Sequence, residues 1–335
     1  MSIFQFLWFI VIAILFAGFL FFEGFDFGVG MATRFLANND RERQTVLGAI
    51  APHWDGNEVW LITAGGAMFA SFPLWYASLF SGYYILLFLT LIALIFRGVS
   101  FEFVTHAENS FQRSLWLWSN FFGSLFSPFF LGMMFTSLIQ GVPMDAQGNV
   151  WAGFNVVVNI FSVIGGLAVT YLSLIHGLHF LSLRTKNSLH NRAINMADKL
   201  YWLLYPILIL FVVFSIFKTD FYEKHFFSSL LIVLIIVLLT LWGHLSIHFN
   251  HNGRAFFASG FSLVLIIAFI FNGLFPRVMI SNNSKYDLLI KTASASKLTL
   301  EIMTGILVVL LPIVLIYFFW SYWVQRNRRS DSLSD

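Results

Sequence analysis

Five ionisable side chains stand inside two apolar segments near the start of the chain. Glu23 and Asp26 fall in FFEGFDFGVG, and His53, Asp55 and Glu58 fall in HWDGNEVW. The two carboxylates of each segment are i, i+3 neighbours, so each pair shares one helix face. An ionisable side chain costs roughly 2.5–3.5 kcal/mol at the centre of a membrane helix, which makes it a functional-site hypothesis by default. Four carboxylates around one histidine cannot all stay ionised in a low dielectric, so the pattern predicts proton transfer.

Counting from the nearest loops places the five side chains at similar depths. The carboxylates of the first segment lie eight and eleven residues before Arg34, which is roughly 12–17 Å along a helix that rises about 1.5 Å per residue. Residues 53–58 lie roughly 12–20 Å beyond Thr45 by the same count. The sequence therefore predicts that the five share one layer.

The segment FRGVSFEF adds Arg97 and Glu102 closer to the same surface. We interpret this pair as either a point of proton uptake or a structural element. In the alternative interpretation the whole group only fixes helix register, and Arg97 pairs with Glu102 or Asp26. Five ionisable groups at one depth favour function, because each adds an insertion cost that packing alone does not require.

Composition identifies the class of protein that must position these residues. Of 335 residues 59% are hydrophobic and 10% are charged, whereas a soluble domain carries about a quarter charged residues. The chain is therefore predicted to be an all-α polytopic membrane protein. It has no cysteine, which excludes disulfides, thiolate metal sites and iron–sulfur ligation. A net charge of +3 is too small to indicate nucleic-acid binding.

Spans of about 20 apolar residues predict about nine transmembrane helices, of which the second is the least apolar. They lie near 4–33, 46–71, 74–104, 114–139, 152–183, 196–217, 227–249, 254–276 and 298–324. Cytoplasmic loops carry the excess of Lys and Arg. Ten basic residues, Arg97 among them, fall in the odd-numbered connections and six in the even-numbered ones, while the tail adds Arg326, Arg328 and Arg329. This alternation predicts an N-terminus outside and a C-terminus in the cytoplasm.

Helices 1 and 5 then run in the same direction, which predicts two four-helix bundles and one peripheral helix. The first bundle comprises residues 1–143, and residues 144–335 contain the second bundle and the ninth helix. Five histidines of the second part have helical spacing that a haem ligand could use: His176, His179, His244, His248 and His251. All lie near predicted cytoplasmic helix ends, where an imidazole can be solvated. We therefore expect no cofactor-binding and no metal-ligating residue in this chain.

Three blocks taken together resemble a known family. GFDFGVGMATRFL is followed by IAPHWDGNEVWLITAGGAMFASFPLWYASLFSGYY and then by FRGVSFEF, and this order resembles the second subunit of cytochrome bd quinol oxidase. The long HWDGNEVW block is the most specific of the three. Helix number and chain length also fit, so the resemblance covers the whole chain.

The resemblance implies a complex in a prokaryotic cytoplasmic membrane that oxidises quinol and reduces dioxygen to water. It implies that haems b and d and the quinol site belong to a larger subunit I, with small single-helix accessory subunits, lipid and quinone as further partners. The second subunit would support the assembly and help to carry protons inward. The family's functional acids match Glu23, Asp26 and Asp55. Leu117 stands where some relatives have an acid, so the resemblance implies no proton route at that point.

The hypothesis is that protons are taken up near Arg97 and Glu102 and pass through Asp55, His53 and Glu58 to the partner's haem site.

Glu23 and Asp26 would either extend that relay or hold a cation or water that fixes helix 1. The alternatives are a stand-alone cation-coupled secondary transporter or channel, and a purely structural scaffold. Broken helices at corresponding positions of the two halves would favour the transporter.

Overall fold

The structure is a computed structural model that describes residues 1–324, so the basic residues predicted for the tail lie outside the described part. Nine helices of 18 residues or more form the body: α1 (Ile3–Leu36), α3 (Trp54–Ser71), α5 (Tyr84–Thr105), α6 (Ser110–Gln140), α8 (Ile160–Arg184), α9 (Asn187–Lys218), α11 (Phe226–His248), α12 (Asn252–Leu274) and α14 (Lys297–Val324). Short helices are α2 (Asp40–Gly48), α4 (Pro73–Gly82), α7 (Phe154–Val157), α10 (Phe221–Lys224) and α13 (Ile290–Ala293). Two antiparallel strands, β1 (Arg277–Met279) and β2 (Leu288–Leu289), flank a 3-10 turn at Ser284–Tyr286.

Eight of the long helices within residues 1–324 are long and apolar enough to cross a membrane. The helix outside this set is α3, the second and least apolar of the predicted spans. Its first turns carry Asp55 and Glu58, which lower its mean hydropathy. The structure therefore confirms the all-helical membrane class, and α3 accounts for the difference between eight and nine.

Two predicted helices are divided in the structure. The span predicted over 46–71 splits into α2 and α3, with a turn through Pro52. The residue before a proline is disfavoured in helical conformation, which accounts for a break near Ala51. The span predicted over 74–104 bends at Tyr83, between α4 and α5. These breaks let α3 begin at Trp54, with His53 as its N-cap residue, at the start of the acidic block.

The centre of the molecule is the contact between α1 and α8. A Cβ atom built on Gly28 would lie 2.1 Å from the Ser173 carbonyl oxygen, and one on Gly177 would lie 2.4 Å from the Gly28 carbonyl carbon. Only glycine permits this approach. Helix α1 also packs against α3, α6 and α12, and α8 packs against α6, α9 and α12, while α14 contacts α1 and α3. The division at residue 143 stays a prediction.

The connections at one end are tied together by polar contacts. Arg277 donates two hydrogen bonds to Asp220, at 2.7 and 2.9 Å, and also contacts Asp287. Burial alone would raise the pKa of Asp220, but hydrogen bonds from Arg277 and Lys224 outweigh it and lower the pKa to about 2. This ion pair links the connection after α9 to the strand after α12.

Candidate functional site

Two carboxylates and one guanidinium meet inside the first half of the chain. Glu23 and Asp26 on α1 and Arg97 on α5 are all fully buried. Arg97 Nη1 donates a hydrogen bond to Glu23 Oε1, and Arg97 Nη2 lies 3.8 Å from Asp26 Oδ2. One cation therefore faces two acids in a low-dielectric environment. We call these three residues the acid–arginine site.

An amide and a phenol complete the site from two further helices. Asn57 Nδ2 donates to Asp26 Oδ2 at 2.8 Å, and Asn57 Oδ1 accepts a hydrogen bond from the Tyr322 hydroxyl at 2.7 Å. The Tyr322 ring stacks on His53, with ring centroids 4.1 Å apart. The site thus joins α1, α3, α5 and α14.

Two carboxylate oxygens in the site have no hydrogen-bond partner. They are Glu23 Oε2 and Asp26 Oδ1, and both are buried. A buried carboxylate oxygen without a partner costs free energy, because it has lost its hydration. A proton or an ordered water at these atoms relieves that cost.

The backbone around Arg97 is held by a second polar chain. Ser100 Oγ donates to the Arg97 carbonyl oxygen at 2.5 Å, and Asn120 Nδ2 donates to Ser100 Oγ at 2.9 Å. The guanidinium lies 5.0 Å from the centroid of the Phe27 ring. An aromatic face at this distance attracts a cation and so helps to hold the guanidinium in place.

The other predicted acids lie outside this set of contacts. Asp55 is exposed on the first turn of α3, and its Oδ1 accepts a hydrogen bond from the Gly56 backbone N–H at 2.8 Å. Glu58 is half-buried and lines a groove of about 980 Å³ between α3, α4, α5 and α6. The Glu102 side chain is 77% exposed and lies 3.4 Å from His106 Nδ1. The structure therefore groups Arg97 with Glu23 and Asp26, whereas Glu102 lies at the surface and does not contact Arg97.

Arg97 also changes the count of basic loop residues. The sequence predicts Arg97 in a connection, whereas the structure buries it inside α5. Arg97 therefore gives no information on which end of α5 faces the cytoplasm, because the excess of Lys and Arg on that side is a property of loops. The alternation of the remaining Lys and Arg residues still stands as a prediction.

Sequence reasoning missed Asn57 and Tyr322. Asn57 stands inside HWDGNEVW, but a search restricted to ionisable groups passes over an amide. Tyr322 lies 265 residues from its partner, and its own segment reads as an apolar helix with aromatic residues at its end. The available signal was an amide two residues after Asp55 and directly before Glu58 within a predicted membrane span.

The histidines also differ from expectation. His176 and His179 are fully buried, although the sequence placed them where an imidazole can be solvated. The His176 ring is packed between aromatic side chains, 4.6 Å from the centroid of Phe256, and both of its nitrogens are hydrogen-bonded. This packing does not fit a haem ligand. Among residues 1–324 no group of three His, Asp or Glu side chains is arranged to hold a metal ion.

Comparisons with known proteins are specific. The model of the family described as cytochrome bd terminal oxidase subunit II matches residues 4–325. The chain is 43% identical over 325 residues to cytochrome bd ubiquinol oxidase subunit 2 of Bacillus subtilis, an alignment that covers 97% of this chain and 96% of that protein. It is 34% identical over 361 residues to cytochrome bd-I ubiquinol oxidase subunit 2 of Escherichia coli, covering 98% and 95%. A chain in the structure of bd oxidase from Geobacillus thermodenitrificans has a similar fold, with a TM-score of 0.73 at 15% identity and coverage of 98% and 100%.

The fold and the site define a multi-pass helical membrane protein with a buried acid–arginine site. The extent and identity of the matches then fix the family: the chain belongs to the cytochrome bd terminal oxidase subunit II family. It is a component of a quinol oxidase complex with partner subunits. The stand-alone transporter is not favoured.

Proposed function

We propose that this chain supplies its oxidase complex with a proton-transfer site built on Glu23, Asp26 and Asp55. The observation that supports the proposal is the ratio of two buried carboxylates to one guanidinium at Arg97. Dioxygen reduction to water consumes protons, so a site that holds and releases a proton within the membrane serves that reaction.

Charge balance explains why the site would hold a proton. If both carboxylates were ionised, Arg97 would balance only one of them, and an uncompensated buried charge costs several kcal/mol. One shared proton removes that cost. Because Asp26 Oδ2 already accepts a hydrogen bond from Asn57, a proton on Asp26 belongs on Oδ1. That oxygen has no partner and can pass the proton on.

We assign proton uptake to Asp55 instead of Arg97. Asp55 is exposed at the start of α3, whereas Arg97 is fully buried and paired. His53 and Glu58 lie before and after Asp55 on the same helix end and continue the route. Glu102, on the surface beside His106, is assigned a structural role.

The exposed face of α3 is the proposed contact with subunit I, which would carry haems b and d and the quinol site. Cβ atoms built on Gly56 and Gly66 meet no atom within 4 Å, so another helix can approach this backbone closely. Small accessory subunits, lipid and quinone complete the proposed assembly. In this proposal the N-terminus lies outside and the C-terminus in the cytoplasm.

The experiment compares Asp55→Asn, Asp26→Asn and a matched control, Glu102→Gln, in the purified complex. Oxygen consumption should slow with Asp55→Asn while the complex keeps its subunits and haem absorption, and Glu102→Gln should retain turnover. Full activity of Asp55→Asn would refute its assignment to proton transfer. Loss of haem incorporation with Asp26→Asn would show a structural role for that residue instead.

Infrared difference spectra of the working complex test the shared proton directly. A carbonyl stretching band of a protonated carboxylic acid should be present and should disappear in Glu23→Gln or Asp26→Asn. If the band is the same in all three proteins, the acid–arginine site does not hold the proton.

A further inference from the structure

Three arginines lie together at the end of α1, where this helix leaves its apolar span. Arg43 of α2 and Arg113 of α6 both contact Asp40, with N···O distances of 2.6 and 3.5 Å. Arg34, in the last turn of α1, lies close enough to Arg43 for the two charges to repel each other. We call Arg34, Arg43 and Arg113 the arginine cluster.

The arginine cluster carries more positive charge than its surroundings balance. Three guanidiniums share one carboxylate, that of Asp40, so within residues 1–324 the cluster keeps an excess of positive charge. The Nε atoms of Arg43 and Arg113 are buried and have no hydrogen-bond partner. All three side chains are nevertheless partly exposed. An anion from outside the chain can therefore reach the cluster.

A row of aromatic rings begins at the same place. The Arg34 guanidinium carbon lies 4.0 Å from the centroid of the Trp118 ring on α6. Trp118 stacks on Phe122, with ring centroids 5.5 Å apart. Phe126 continues the row 6.0 Å from Phe122, and Phe130 follows 5.5 Å from Phe126. We call these four rings the aromatic ladder.

The aromatic ladder runs along the outside of α6 at membrane depth. Its members are four residues apart and so occupy one helix face. The first three are 40%, 46% and 39% exposed, and α6 is long and apolar enough to cross a membrane. From Trp118 to Phe130 a helix rises about 18 Å, slightly more than half of a hydrocarbon core about 30 Å thick. The ladder therefore extends through about one leaflet.

The charge and the apolar surface together fit one class of ligand. A phosphate diester carries the negative charge that the arginine cluster lacks, and guanidiniums bind phosphate through strong charge-assisted hydrogen bonds. An acyl chain attached to that phosphate can lie along the exposed rings. Inorganic phosphate has no apolar part, and a zwitterionic headgroup brings a cation that the arginines repel.

We propose that the arginine cluster and the aromatic ladder form a binding site for an anionic phospholipid. The phosphate contacts Arg34 and Arg43, and one acyl chain lies along the ladder from Trp118 toward Phe130. The bound lipid connects α1, α2 and α6 at the membrane surface. This site is separate from the acid–arginine site, so it stands whether or not that site transfers protons.

Native mass spectrometry of the intact oxidase complex in detergent, during titration with phosphatidylglycerol, tests the charged part of the site. Arg34→Gln should weaken phosphatidylglycerol binding by about fivefold, the factor expected for one basic residue near a membrane surface. Lys199→Gln is the matched control, because it removes one exposed charge from α9 and should bind like the wild type. Phosphatidylcholine should bind more weakly than phosphatidylglycerol, and equally to both variants.

Phe122→Ala tests the apolar part, and it keeps the proposal testable if Arg34→Gln does not assemble. This variant should also weaken phosphatidylglycerol binding. Its control is Phe257→Ala, which removes a ring of similar exposure, 53%, from α12 and should have no effect.

Three results would overturn the proposal. The first is equal phosphatidylglycerol affinity of Arg34→Gln and Lys199→Gln. The second is equal affinity of Phe122→Ala and Phe257→Ala, which is expected if a protein helix covers the aromatic ladder. The third is displacement of phosphatidylglycerol by inorganic phosphate, which would show that the arginine cluster binds anions without selecting a lipid.

Discussion

Replacing Arg97 should destabilise this protein far more than replacing either acid that it contacts. Arg97→Met leaves Glu23 and Asp26 buried without their cation. Removing one partner of a buried ion pair costs about 3–5 kcal/mol, because the remaining charge is uncompensated. Glu23→Gln removes one charge-assisted hydrogen bond, worth about 1.5–3 kcal/mol, but it leaves Asp26 to balance Arg97 at 3.8 Å, so the site no longer needs a shared proton. We therefore expect Glu23→Gln to cost about 2 kcal/mol or less.

The assay is thermal denaturation of the purified complex in detergent, followed by haem absorbance at one heating rate. A fixed rate matters because unfolding of such complexes is irreversible and its midpoint depends on the rate. Arg113→Met is the matched control, since Arg113 forms a partly exposed pair with Asp40 at 3.5 Å. Pairs of that kind contribute about 0–1 kcal/mol.

A triple variant separates charge from packing. Glu23→Gln, Asp26→Asn and Arg97→Met together remove all three ionisable groups, so much of the stability lost with Arg97→Met should return. If Arg97→Met and Glu23→Gln lower the denaturation midpoint equally, Arg97 does not balance a buried charge as inferred here. A triple variant less stable than Arg97→Met alone would show that the three ionisable groups stabilise the fold together.

Three other predictions concern single contacts. Gly28→Ala should cost about 1–3 kcal/mol through overpacking at the α1–α8 contact. Gly253→Ala is its control and should be neutral, because a Cβ there meets open space. Equal midpoints of thermal denaturation for the two variants would contradict the close α1–α8 contact. Tyr322→Phe should cost about 1–2 kcal/mol, because it leaves the buried oxygen of Asn57 without its donor, and an unchanged midpoint would argue against that bond. The lowered pKa of Asp220 means that its ion pair stabilises the fold fully above its ordinary pKa of 3.8. The Asp220 side chain is 27% exposed, so the ion pair contributes about 1–2 kcal/mol after allowance for solvent screening. This contribution should be lost as the pH falls from about 4 to about 2. Asp220→Asn should therefore flatten the acid limb of a stability–pH curve, and a curve parallel to the wild type would contradict the ion pair.

The sequence predicted most helix positions because apolar length is a strong signal in a membrane chain. The ninth helix, predicted over 298–324, is Lys297–Val324 in the structure. The main error was at residues 46–71, where hydropathy runs through the turn at Pro52 and hides the start of α3. The fifth helix was predicted from 152, but it begins at Ile160 after an Asn159 cap, because an apolar loop and an apolar helix have the same composition.

The acid–arginine site could be predicted only in part. Periodicity and depth placed Glu23 and Asp26 on one face, since both follow from the helix repeat. The partner of Glu23 could not be read, because the rotation of α5 about its axis decides whether Arg97 faces α1 or Glu102. The contact of Tyr322 depends on how α14 docks against α1 and α3, for which no local pattern exists.

The contact between Tyr322 and Asn57 has a consequence for biosynthesis. Arg97 follows Glu23 by 74 residues, and Tyr322 follows Asn57 by 265. At about 5–20 residues per second, the ribosome delivers the cation roughly 4–15 s after the first acid and the phenol roughly 13–53 s after the amide. The two acids of the first helix are therefore synthesised seconds before the cation that balances them and well before the phenol that completes their site.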